Sequence, residues 1–138
     1  MTWTEPIFDR TWVDVDWAKH TLEEWRELIA AGGTPTTSDL KGFLNPSDLN
    51  RIEGNTQYLA DLLDVSGLTY KLNWSYSDCI TVSAQSRIIG NVQELVTASG
   101  VSNTPEIPTT IMKYDNLNAI EQILFMIKAH IESLEVTT

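Results

Sequence analysis

At 138 residues, 42% of them apolar, the chain has the length of one ordinary domain and enough hydrophobic material for a single core. Nineteen acidic residues against nine basic give a formal charge of -10, which argues against gripping a nucleic-acid backbone or an anionic membrane surface. Cys79 is the single cysteine, so an intrachain disulfide is excluded, as is any thiolate metal cluster whose ligands are not shared between subunits.

The opening Met1-Thr2-Trp3-Thr4-Glu5-Pro6 lacks the basic start and apolar core of a signal peptide, and no uncharged apolar run approaches about 18 residues. The expectation is a soluble protein kept in a reducing compartment or released by lysis. Thr11, with Asp14 three residues on, forms a capping-box-like start for a first helix that runs to about Ala31 and stops at Gly32-Gly33. Trp12, Val15, Ala18 or Lys19, Leu22, Trp25 or Arg26, and Ile29 give it an apolar face at 3-4 spacing. Thr34-Pro35-Thr36-Thr37-Ser38 is linker chemistry.

The second helix starts at Asn45-Pro46, with Asp48 near its positive end, buries Leu49, Ile52, Tyr58 or Leu59, and Leu62 or Leu63, and ends at Gly67. Leu68, Tyr70, Leu72, Trp74 and Tyr76 alternate with polar residues, which predicts a short β element near 68–76 that must pair with another extended stretch or another protein. A third helix spans about Val82 to Ala98 behind Thr81, with Ile88, Val92, Leu95 and Val96 inward. After a Gly- and Pro-containing connection, a fourth runs from about Asp115 to Leu134 with Leu117, Ile120, Ile123 or Leu124, Ile127, Ile131 and Leu134 on one stripe.

These helices contain a repeat. Ser47, Arg51, Ile52, Gly54, Asn55, Gln57 and Leu59 recur 36 positions later as Ser83, Arg87, Ile88, Gly90, Asn91, Gln93 and Leu95. A fainter copy begins near Met112, where Leu117-Asn118-Ala119-Ile120-Glu121 answers Leu49-Asn50-Arg51-Ile52-Glu53. The expected architecture is therefore a mainly α single domain over 1–138, an antiparallel bundle of about four helices with repeat units near 44–63, 80–98 and 112–131. Gly54 and Gly90 each cost a helix about 1 kcal/mol relative to alanine, so close approach of another helix or a local kink is expected there.

Little in the chain points to catalysis. His20 and His130 belong to no metal motif, Cys79 follows the acidic Asp78 and reads as a buried small residue at the entry to the third helix, and pairs such as Asp14/Asp16 or Glu23/Glu27 read as solvated. No phosphate cradle or nucleophile elbow is present. The expectation is no enzyme, no catalytic or metal-binding residues and no cofactor. Arg51 and Arg87 are expected to tie repeats to a neighbouring backbone or carboxylate, and Asn55 and Asn91 to satisfy polar groups where helices cross, although Arg51 gripping an anion is the alternative. Of the five tryptophans, Trp3, Trp12, Trp17 and Trp25 lie in the first 25 residues, and Trp3, Trp12 and Trp17 are candidates for a docking surface.

The segment Phe43-Leu44-Asn45-Pro46-Ser47-Asp48-Leu49-Asn50-Arg51-Ile52-Glu53-Gly54-Asn55, with Tyr58-Leu59 after it, resembles a segment found in tail-associated proteins of phages and prophages of Gram-positive and gut bacteria. These include small proteins and the front modules of tail-fibre or baseplate proteins. Phe8-Asp9-Arg10-Thr11, followed by Asp14-Val15 and Ala18-Lys19, resembles their start. The resemblance implies a virion structural or adaptor protein, made in the host cytoplasm, that contacts other virion proteins and itself, with no nucleic acid or membrane as partner. Two alternatives stand beside it: an acidic phage-encoded regulator or DNA mimic that binds a basic host protein, and a carbohydrate-binding module using Trp74 and Tyr76.

Overall fold

The computed structural model describes residues 2–136, which form four α-helices: α1 Trp12–Ala30, α2 Pro46–Leu62, α3 Val82–Ser99 and α4 Tyr114–Val136. Their starts follow from local chemistry. Thr11 with Asp14 and Asn45 with Asp48 each make a reciprocal capping box, Pro46 occupies the first helical position of α2, and the Thr81 hydroxyl accepts the Ala84 N–H at 3.0 Å. α3 stops on Gly100, whose φ of +71° lies in the left-handed region. Gly67 does not end α2. Asp64 takes the left-handed conformation instead, at φ +57°, and the Val65 N–H closes back on the Ala60 carbonyl at 2.8 Å.

The architecture is the expected mainly α bundle, and its core lies among α2, α3 and α4, each of which packs on the other two. Leu49, Ile52 and Leu59 of α2, Ile88, Val92 and Leu95 of α3, and Leu117, Ile120, Ile123, Leu124 and Ile127 of α4 are buried there with Ile111. Side chains of this size contribute roughly 1.5–3 kcal/mol each when removed from water. The three repeat units coincide with these three helices.

α1 is different. It makes no comparable packing with any other helix, and Ala18 is its one fully buried residue. Along its expected apolar face Ala18 is buried and Val15, Leu22 and Trp25 are half-buried, whereas Trp12 and Ile29 at its ends are 59% and 60% exposed; Trp17, off that face, is 56% exposed. The apolar residues of α1 spread around more than half its circumference, whereas only one side rests on the rest of the chain. That contact is made at Gly42, at φ +99°, where an added Cβ would come within 2.7 Å of the Asp14 and Val15 backbone.

Two further expectations are corrected. A Cβ built on Gly54 or Gly90 meets nothing within 4 Å, so no close approach of another helix compensates these glycines. Residues 68–76 form no strand, and no strand occurs among the described residues. Their backbone groups bond to side chains projecting from α2 and α3, which remove the need for a sheet partner.

Candidate interaction surface and the polar seams beneath it

The repeated polar residues are arranged along two seams of the bundle. In the seam between α2 and α3, the Asn50 amide takes both backbone groups of Trp74, accepting from its N–H at 2.7 Å and donating to its carbonyl at 3.1 Å. That is the exchange a neighbouring strand would make, and it requires Trp74 to be locally extended. Three residues along, Glu53 accepts the Lys71 N–H at 3.0 Å and the Trp74 indole N–H at 2.5 Å. From α3, Arg87 donates to both Glu53 oxygens and to the Thr69 carbonyl, which also accepts from Asn91.

The seam between α4 and α2 repeats this pattern around the N-terminal segment. Asn118 exchanges both bonds with the Arg10 backbone, at 3.2 and 2.8 Å, and Glu121 accepts the Ile7 N–H at 3.1 Å and the Arg10 guanidinium at 2.7 Å. From α2, Arg51 donates to both Glu121 oxygens at 2.5 and 2.8 Å, and Asn55 exchanges two bonds with Thr4 at 2.9 and 2.7 Å. One helix thus supplies Asn and Glu, the next supplies Arg and Asn, and a peptide segment lies between. At the third seam, between α3 and α4, the corresponding positions are Ser86, Ile89, Ala119 and Ile123, and Ile123 is fully buried. Gln85 alone holds the adjoining segment there, accepting from the Thr110 hydroxyl and the Ile111 N–H.

Asp48 completes the second seam. Besides capping α2, it accepts from Arg10 at 3.0 Å and Arg51 at 2.6 Å, so buried Arg10, Asp48 and Glu121 share one cluster with the half-buried Arg51. Burial opposes the Arg51 charge, but hydrogen bonds and attraction from Glu121 and then Asp48 outweigh it and hold the guanidinium above its ordinary pKa. Among the described residues no buried polar side-chain atom lacks a partner. The functional groups of Arg51, Glu53, Asn50, Asn55, Arg87 and Asn91 are therefore spent inside the fold, as the architectural expectation for Arg51 and Asn55 holds.

The remaining sequence candidates are scattered. His20 is exposed on α1 beside the Asp16 carbonyl, His130 is half-buried on α4, and no group of three or more potential metal ligands occurs among the described residues. Cys79 is exposed, contrary to the expected buried position, because it precedes α3 in a turn anchored by the Asp78 cap on Ser75. Trp74 is buried, leaving Tyr76 as the exposed aromatic of that pair. Trp3 is partly covered, its ring tilted against Tyr58 with centroids 5.7 Å apart. Arg10, Asn118 and Glu121 were not singled out by the sequence. The third copy of the repeat, which places Asn118 and Glu121 opposite Asn50 and Glu53, was the signal for two of them.

What is left unpaired is α1. Val13, Trp17 and Leu28 are exposed on one side of it, and Trp12 on another, with Lys19 5.0 Å above its ring. Beyond Trp12 an apolar cleft of about 540 Å³ opens between α1 and the start of α4, lined by Trp12, Val15, Phe43, Leu44, Met112 and Tyr114. Exposed aromatic and aliphatic surface of this kind marks contact sites. No helix among the described residues is long and apolar enough to cross a membrane. No protein-family model, curated protein or solved structure matches the chain.

Proposed function

We propose that the chain is a structural adaptor of a phage or prophage particle, placed at the tail, baseplate or fibre attachment, that works through protein–protein contacts. The reading rests on the resemblance of the Phe43–Asn55 segment and of the opening Phe8-Asp9-Arg10-Thr11, together with one structural observation. The polar residues of the motif are consumed in holding the fold, whereas α1, which packs least on the other helices, exposes Trp12, Val13, Trp17, Leu28 and Ile29. Contact is what such a surface does best.

The same geometry shapes what the chain would do in an assembly. Its bundle is tied by buried ion pairs and clamped segments, so α1 is presented from a fixed base through the close contact at Gly42. Rigid presentation lowers the ordering cost of association. The test is quantitative mass spectrometry of density-purified particles from an induced source strain. Recovery at a fixed copy number beside tail proteins supports the assignment; absence from intact particles with abundance in the lysate refutes it in favour of a free acidic regulator.

A further inference from the structure

α1 is an addition to an otherwise regular plan. In the second and third units of the bundle a clamped segment leads into its helix through a short turn: Trp74 is followed by α3 at Val82, and Ile111 by α4 at Tyr114. In the first unit, Arg10 is separated from α2 at Pro46 by all of α1 and its return loop. The seam around residues 4–10 is complete without α1, whose side chains make none of its bonds.

The outward side of this added helix has a defined chemistry. Val13, Trp17, Glu24 and Leu28 fall on one strip at the helical step of about 100° per residue, bordered by Asp16 and Glu27. Lys19 and Arg26 fall on the opposite side of the helix. Among the described residues, Glu24 and Glu27 enter no ion pair, and the one basic-type side chain near the strip, His20, is turned to Asp16. The backbone of α1 is closed within the helix, so a partner meets side chains and cannot add as a strand.

We infer that the Val13–Trp17–Leu28 strip of α1 is a docking ridge for an amphipathic, basic helical segment of a second protein. Its apolar centre would cover Trp17 and Leu28, with Lys or Arg along its rim facing Asp16, Glu24 and Glu27. A second copy of this chain is the poorer fit, because ridge on ridge brings those carboxylates together between two chains that each carry a charge of -10. The inference rests on the reading that the chain acts by protein contact, and it adds the chemistry of the partner.

The experiment uses the full chain and two labelled probe peptides of about 20 residues, amphipathic helices with a leucine face flanked by lysine in one and by glutamate in the other. Fluorescence anisotropy should show binding of the lysine probe that weakens with salt, and at least about tenfold weaker binding of the glutamate probe. Trp17→Ala with Leu28→Ala, and separately Glu24→Gln with Glu27→Gln, should each weaken the lysine probe by about tenfold or more while circular dichroism stays unchanged, since all four residues are exposed. Equal binding of both probes, or unchanged binding by the variants, overturns the inference. So does sedimentation showing a dimer of the wild-type chain that the Trp17/Leu28 variant abolishes, which would assign the ridge to a second copy. Absence of the chain from particles with ridge binding intact would remove the virion assignment alone.

Discussion

Glu121→Gln is the most searching perturbation of the fold. The carboxylate is fully buried and accepts from the Ile7 N–H, from Arg10 at 2.7 Å and from Arg51 at 2.5 and 2.8 Å. An amide of the same shape keeps one acceptor oxygen, turns an NH2 group toward donors and leaves Asp48 alone against two guanidiniums. Removing one partner of a buried ionic cluster costs about 3–5 kcal/mol, a large share of the roughly 5–15 kcal/mol that holds a domain of this kind together. With a urea slope of about 1–3 kcal/mol per molar, the midpoint should fall by about 2 M, read by far-ultraviolet circular dichroism. Glu132→Gln, which breaks the exposed pair with Lys128, is the control and should cost under about 1 kcal/mol. The reasoning is refuted if Glu121→Gln shifts the midpoint no more than this control while the Ile7 amide stays protected from hydrogen exchange.

Asn118→Ala and Asn50→Ala should each cost about 1–3 kcal/mol by orphaning a backbone N–H and carbonyl, and exchange should rise locally, near Arg10 in the first and near Trp74 in the second; matching patterns in both would contradict the assignment of separate seams. Gly54→Ala and Gly90→Ala should each stabilise the chain by about 0.4–1 kcal/mol, since the added methyl meets open space and helix propensity improves. A loss of stability in the melting curves would show a close contact after all. Cys79 should react with a maleimide in native buffer at close to the rate of the unfolded chain, and Cys79→Ser should change stability by less than about 0.5 kcal/mol.

Helix starts were legible because local chemistry sets them, Thr11, Asn45 and Thr81 capping α1, α2 and α3, and the 3-4 stripe of Leu117, Ile120, Leu124 and Ile127 is the buried face of α4; the end of α2 was placed too late, at Gly67. The β element near 68–76 was misread because alternation records which side chains turn inward, and an extended segment clamped by Asn50 and Glu53 alternates as a strand does. The face of α1 was placed on the covered side through Val15, Ala18, Leu22 and Trp25 but overextended at its ends, for a similar reason. Periodicity names an apolar side without naming what covers it, and Trp12 and Ile29 meet the criterion while standing in solvent. For the seams, recurrence of Arg51 as Arg87 and of Asn55 as Asn91 pointed correctly to architecture. Which carboxylate each arginine would find depended on the crossing of helices, so Glu121 emerged only from the tertiary structure.

The seating of residues 4–10 on α4 also bears on how the chain is born. The bonds from Ile7 and Arg10 to Glu121 and Asn118 span more than a hundred residues, from a segment made before α1 to the helix made after α3. Arg10 and Arg51 therefore lack Glu121, and residues 4–10 have no complete berth, until α4 has been made. Long-range closure of this sort is slow relative to local helix formation. A nascent chain stalled before Asn118 should hold α1 and α2 as transient local helices with the N-terminus loose, and a peptide copy of residues 112–136 added in trans should capture it.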